Sequence, residues 1–242
     1  MIRTAVRGLG ELLLTLGALM LLFVAWQLWW TDVEASREQQ AAVEELRDGW
    51  GGDPSPAAGA AALPDAGPAP APPPPGDPPE LAPPEEGTSF GIVHIPRFGD
   101  GYAVPVDEGV GLDEVLNDGV LGHYPGTAMP GQVGNFAVAG HRVTYGRPLN
   151  LIAELRPDDA VVVETADAWY VYRMRDAVIV TPDRVDVIAP VPGQPGVEPT
   201  ERLLTLTACH PMYSARERYI VHAVLESWQP KADGAPAALA AG

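Results

Sequence analysis

Apolar residues fall along this chain in three regimes. From Leu12 to Trp30 there are 19 residues without a charge, close to the roughly 20 that a helix needs to cross a bilayer core. The pattern predicts one transmembrane helix. Arg3 and Arg7 precede the run and Asp32, Glu34 and Glu38 follow it, so the positive-inside bias leaves the rest of the chain outside the cytoplasm. Trp26, Trp29 and Trp30 sit at the outer end like an interfacial aromatic belt. A cleaved signal peptide is the competing reading, but the run exceeds the usual h-region and no small-residue cleavage site follows the tryptophans.

The second regime has no apolar face wide enough for a core. Val33 to Trp50 carries Val43, Leu46 and Trp50 at near-helical spacing, which suits a juxtamembrane stalk. Residues 51–88 are dominated by Pro, Ala, Gly and Asp, including Pro72-Pro73-Pro74-Pro75, a composition of disordered or polyproline spacers.

The third regime, Ser89 to Trp228, has the size of one domain. Its apolar stretches are short and β-branched: Phe90 to Ile95, Tyr102 to Val106, Asn135 to Ala139, Ala160 to Glu164, Trp169 to Met174, Ala177 to Val180, Leu203 to Cys209 and Tyr219 to Leu225. Gly, Pro or Asp turn signals bound each one. The pattern predicts a mainly β, closed or nearly closed structure. Short helical turns fit only at Leu112 to Leu116 and Pro148 to Leu155. Residues 229–242 form an Ala/Pro/Gly-rich tail that reads as disordered.

A net charge of −17 excludes nucleic acid as a partner, since the phosphate backbone needs a basic surface. No Cys or His cluster has zinc spacing, no Gly-rich loop precedes a helix, and no paired-Cys redox motif occurs, so neither metal nor cofactor is predicted.

The single cysteine, Cys209, ends the apolar run Leu203-Leu204-Thr205-Leu206-Thr207-Ala208-Cys209. An exported lone thiol is an inert buried side chain, half of an intermolecular bridge, or a nucleophile. A nucleophilic thiol needs a neighbouring imidazole, guanidinium or helix N-terminus. Of five histidines, His141 is best placed, at the end of the strand Asn135 to Ala139 after Gly140. His210 would point to the face opposite Cys209; His94 and His222 alternate within strands, and His123 reads as a loop residue of a cleft wall. Arg218 follows Cys209 after a turn and begins a strand, so a hairpin would return its guanidinium beside the thiol, where it can serve an oxyanion. A surface arginine on an edge strand remains the alternative.

Taken together, the anchor, the Pro-rich spacer, Gly140-His141-Arg142, Thr205-Leu206-Thr207-Ala208-Cys209-His210-Pro211 and Arg218 resemble the sortases over about Phe90 to Trp228. The segment Gly122 to Asn135, beginning Gly122-His123-Tyr124-Pro125-Gly126, is similar to class E of that family. The resemblance implies an eight-stranded sortase-type β-barrel with short helices, with His141, Cys209 and Arg218 as the catalytic set. It also implies a reaction: cleavage between Thr and Gly of an LAxTG or LPxTG sorting signal on a secreted protein, then transfer to the amine of a lipid II-type peptidoglycan precursor. Tyr124, Thr207 and Ala208 are the implied substrate-binding positions, with Tyr124 tied to a preference for Ala over Pro. One departure stands out. The family pattern is Thr-Leu-x-Thr-Cys, and Ala208 replaces the threonine before the cysteine, which predicts the loss of a hydroxyl from the cleft. Two rival readings are a pilin-polymerising sortase and a barrel that binds wall peptides without turnover.

Overall fold

The computed structural model describes residues 2–51 and 76–240, with the side chains of residues 2–6, 24–25 and 27–36 outside the described set. Helix α1 spans Ile2–Gly49 and contains the predicted membrane span. Among the described residues no helix is long and apolar enough to cross a membrane. The Trp29 and Trp30 side chains and the Pro72 to Pro75 run lie outside the described residues. The chain divides at Glu38/Gln39 into two units, so the last turns of α1 belong to the second unit.

That unit is built on eight strands: β1 (Ser89–His94), β2 (Ala103–Glu108), β3 (Leu121–His123), β4 (Gly134–Ala139), β5 (Ala160–Thr165), β6 (Ala168–Val180), β7 (Arg202–His210) and β8 (Glu217–Pro230). They close into a barrel in the order β1-β2-β3-β4-β7-β8-β6-β5. The pairs β2–β3 and β4–β7 are parallel and the rest antiparallel. A short 3-10 turn at Ile152–Glu154 falls inside the stretch predicted for a helical turn, the one at Leu116–Asp118 begins where the other predicted stretch ends, and turns at Pro96–Phe98 and Val185–Ile188 have no counterpart in the prediction. Fold class therefore follows the apolar pattern, with two local differences. Strand β3 was not visible in that pattern because three residues carry too little alternation. The two stretches Trp169 to Met174 and Ala177 to Val180 are one strand, bridged by a bulge between Met174 and Asp176. Arg175 and Asp176 look like a turn in sequence because the bulge turns them to solvent, where Arg175 pairs with Glu201 at 3.2 Å.

Period-2 alternation decides what lies inside. Leu204, Leu206 and Ala208 of β7, Val221 and Ala223 of β8, and Phe136 and Val138 of β4 join one interior cluster with Tyr170 and Tyr172. Thr205, Thr207 and Cys209 therefore face outward.

The domain ends are tied down further than composition predicts. Residues 76–88 of the expected spacer contact the barrel: Asp77 pairs with Arg202 at 2.7 Å, and Gln132 donates to the Leu81 carbonyl at 3.0 Å. Strand β8 runs to Pro230, and Ala238 and Leu239 of the expected disordered tail pack on Ala160, Val162, Trp169 and Val171. Both terminal segments converge on Glu164, a fully buried carboxylate of β5. Arg47 of α1 donates through Nη2 at 2.7 Å and Nε at 3.0 Å. Lys231 lies 2.5 Å from Oε1 and His94 Nε2 lies 2.6 Å from Oε2. Lys231 also sits over the rings of Trp50 and Trp169, at 4.9 and 4.8 Å.

Burial alone would raise the Glu164 carboxyl, but the hydrogen bonds from His94, Arg47 and Lys231 outweigh it and hold it down at about 2, against an ordinary 4.5. A depressed carboxyl contributes stability above its unfolded value, which is lost as pH falls from about 4.5 towards 2. The shift corresponds to a contribution on the order of 3 kcal/mol at neutral pH. Glu164→Gln is expected to lower the melting temperature at pH 7, with the gap to wild type narrowing between pH 4.5 and 2. Scanning calorimetry of the full chain at pH 7, 4 and 2.5 checks this; a gap that does not change with pH contradicts it.

Candidate active site

Strand β7 runs between a parallel and an antiparallel neighbour, and this places the predicted residues. In the antiparallel β7–β8 register, Cys209 is directly opposite Arg218, Thr207 opposite Ile220 and Thr205 opposite His222. Directly opposed residues have Cβ atoms roughly 5 Å apart on one face. On the other side, parallel pairing aligns Ala137 with Thr205 and Ala139 with Thr207. The Gly140 N–H then donates to the Thr207 carbonyl at 3.1 Å, carrying the alignment one residue past β4. His141 thus leaves β4 at the level where β7 presents Cys209. Gly140 is required at this exit. A Cβ there would sit 2.6 Å from Leu121 and 3.0 Å from Leu149, both in the rigid interior.

Cys209 is partly exposed, as a nucleophile must be. His141 Nε2 bonds Asn117 Oδ1 at 3.1 Å, and the same amide donates through Nδ2 to Asp113 at 3.1 Å. With the amide nitrogen committed to Asp113, its oxygen accepts from His141, so Nε2 carries the hydrogen and Nδ1 is left to exchange a proton. The Tyr145 ring lies 5.0 Å from the imidazole, held in the left-handed region at φ 50°. Burial pushes His141 below its usual value of 6.5, which makes its protonated form a stronger acid. Arg218 donates through Nη1 to the carbonyls of Ala215 and Glu217, both at 3.0 Å. Its Nε and Nη2 make no hydrogen bond among the described residues. A cis peptide bond joins His210 to Pro211 just past the thiol.

Tyr124, in the turn after β3, places its hydroxyl 3.0 Å from Thr207 Oγ1, two residues before Cys209 and on the same face. Ala208 is a correction. It is 3% exposed and belongs to the interior cluster with Leu204 and Leu206, so it faces the barrel core and no cleft hydroxyl is lost there. His123 is a second correction: it is fully buried in β3, 2.6 Å from Glu108 Oε2 and 2.8 Å from the Thr127 hydroxyl. His94 serves Glu164, His222 bonds Thr205 at 2.9 Å, and His210 bonds Arg142 at 2.8 Å. That leaves His141 as the histidine that the β4–β7 register brings level with Cys209. Sequence reading gave no role to Asn117 or Arg142. Asn117 lies 24 residues from His141 with no local signal, whereas Arg142 stands next to His141 inside the Gly140-His141-Arg142 motif. The site is marked by chemistry and not by volume. Cavities of about 390 and 490 Å³ open beside Arg97 and His94, and neither is lined by Cys209, His141 or Arg218.

The closed barrel carries the one cysteine of the chain, partly exposed, on a strand whose two ladders bring Arg218 opposite it and His141 to the same level. Known proteins agree. The Sortase domain profile matches residues 93–226. Sortase SrtE1 of Streptomyces coelicolor is 38% identical over 97% of this chain, which spans 61% of the length of that relative. The SrtA sortase of Actinomyces oris superposes with a TM-score of 0.64 at 39% identity, covering 66% of this chain and 92% of that one. Sortase E1 of Streptomyces coelicolor, solved with a tripeptide in its active site, gives a TM-score of 0.59 at 40% identity, covering 63% and 97%. The chain belongs to the sortase family, and within it to class E.

If Asn117 holds the imidazole, Asn117→Ala is expected to lower kcat for peptide cleavage about tenfold, roughly 1.4 kcal/mol, with KM changed less than twofold. Steady-state kinetics separates the two constants. A loss confined to KM would mean that Asn117 meets substrate and does not orient His141.

Proposed function

We propose that this chain is a membrane-anchored cysteine transpeptidase acting on LAxTG- or LPxTG-type sorting signals of secreted proteins. The observation that carries the reading is the cross-strand pairing of Cys209 with Arg218 at the level where His141 leaves β4. The Cys209 thiolate attacks the Thr carbonyl carbon. Its π electrons move to oxygen, where Arg218 and backbone N–H groups stabilise the oxyanion. Collapse breaks the Thr–Gly C–N bond, and His141 delivers a proton to the departing glycine amine. The thioacyl enzyme is then attacked by the amine of a lipid II-type peptidoglycan precursor. His141 takes the proton from that amine, the C–S bond breaks, and Cys209 returns as thiolate. The chemistry of both halves uses only side chains present in the chain.

Anchoring through Leu12 to Trp30 rests on the length and charge bias of the sequence. It would place the domain outside the membrane, where secreted proteins and wall precursors meet it. The Tyr124–Thr207 pair next to the thiol supports the reading of Tyr124 as a wall of the pocket for the second signal residue. The Tyr124 hydroxyl has an acceptor lone pair for the backbone N–H that alanine offers and proline lacks.

Mass spectrometry of the full chain with an LAxTG peptide and no amine should trap a thioacyl adduct on Cys209. Cys209→Ala should give neither adduct nor cleavage. Cleavage by Cys209→Ala above about a hundredth of wild type, a barrier difference of only about 2.7 kcal/mol, would show that the thiol is not the attacking group.

Peptide choice tests the pocket separately. A polar group left unpaired costs about 1 to 3 kcal/mol, so LAxTG is expected to exceed LPxTG by about tenfold in kcat/KM. Tyr124→Phe should narrow that ratio while keeping activity. Competition between the two peptides in one reaction measures it, and a ratio unmoved by Tyr124→Phe would remove Tyr124 from the specificity pocket.

A further inference from the structure

Arg142, the residue after His141, is 6% exposed. Its Nη1 donates to the Cys209 carbonyl at 3.2 Å and meets His210 Nδ1 at 2.8 Å. Its guanidinium carbon lies 5.6 Å from the centre of the Tyr219 ring, and its own carbonyl accepts from Asn150 Nδ2 at 2.9 Å. Among the described residues no carboxylate pairs with it, and its buried Nε–H has no partner. A guanidinium cannot shed its proton to escape such a place. Buried charge is costly unless paired, and an orphaned donor adds to that cost. The aromatic face of Tyr219 offsets only part of it.

The residue that this cation touches is the one that becomes an anion during the reaction. We propose that Arg142 is a positioning residue for the nucleophile: a fixed buried cation that grips the end of β7 by the Cys209 carbonyl and favours the ionised thiol. The inference rests on the transpeptidase reading for its role in turnover, but not for its effect on the thiol. It divides the work between two arginines. Arg218 lies across the strand pair with an edge open to substrate, and Arg142 lies beneath, sealed by Tyr219 and His210. The other charged and titratable groups around the thiol are His141 beyond β4, His210 on β7, and Glu217, Arg218 and Tyr219 on β8. Unlike each of these, Arg142 is both permanently charged and buried.

Alkylation of Cys209 by iodoacetamide, with no peptide present, reads the effect directly on the full chain. At pH 7, Arg142→Met is expected to slow alkylation about tenfold or more, while Arg142→Lys, which keeps the charge, stays within about threefold of wild type. At pH 9.5, where base ionises the thiol without help, the three rates should converge. In turnover, Arg142→Met should lower kcat with KM changed less than twofold. Arg142→Gln is the second neutral variant should Arg142→Met not melt cooperatively. Wild-type alkylation rates in both neutral variants would overturn the proposal. Equal slowing in Lys and Met would also overturn it, by showing that shape and not charge matters. Because the assay contains no sorting signal, a chain that fails to cleave any peptide leaves this result readable, and a chain that cleaves peptide with unaltered alkylation removes this inference alone.

Discussion

Everything at the site hangs on the pairing of one strand. Strand β7 has β4 parallel on one side and β8 antiparallel on the other, and each ladder fixes a different partner for Cys209. The antiparallel ladder sets Arg218 opposite, and the parallel one delivers His141 at the same level. A slip of one residue in either register would send the partner side chain to the other face, because strand side chains have a period of two. The core prevents such a slip. Leu204, Leu206 and Ala208 are locked among Phe136, Val138, Val221 and Ala223, so moving the site means exposing the core.

The same alternation shows which face the departure at Ala208 touches. Position 208 has interior parity, one step out of phase with Cys209, and it is 3% exposed. A methyl group suits that place, whereas a threonine there would need a partner for its hydroxyl inside the barrel. The neighbour that does carry a hydroxyl on the cleft side is Thr207, and its partner is Tyr124. Sequence comparison located the departure correctly, but only the pleat shows which face it affects.

Much of the fold was legible for a physical reason: strands of a closed barrel with one interior face must alternate, and alternation is visible in a single sequence. The pattern failed where another interaction replaced it. Strand β3 is only Leu121–His123, held by ladders on both sides and by the buried pair of His123 with Glu108. Polar groups that satisfy one another in the interior look, in sequence, like loop residues. The tail after Trp228 was misread in the same way. Its Ala and Pro residues carry no strong pattern, but Lys231 finds Glu164, and Trp50 and Trp169 flank it. Within the candidate site, Cys209, His141 and Arg218 carry a strand-end signature that spacing and family likeness make visible. Asn117 carries none, since a hydrogen bond between segments 24 residues apart leaves no local trace.

Two of the buried charges of this domain, Glu164 and Arg142, behave in opposite ways. Glu164 is surrounded by Arg47, Lys231 and His94, so its charge is fully answered and its role is to fasten chain ends to the barrel. Arg142 is answered only by a carbonyl, a neutral imidazole nitrogen and an aromatic face. A fold that can surround one buried ion with three partners has no general difficulty in pairing charges. The unanswered charge lies at the residue bearing the one thiol of the sequence, where the proposed acyl transfer would need an anion. A carboxylate built beside Arg142 would stabilise the resting protein, but it would also neutralise the buried cation proposed to favour a Cys209 thiolate.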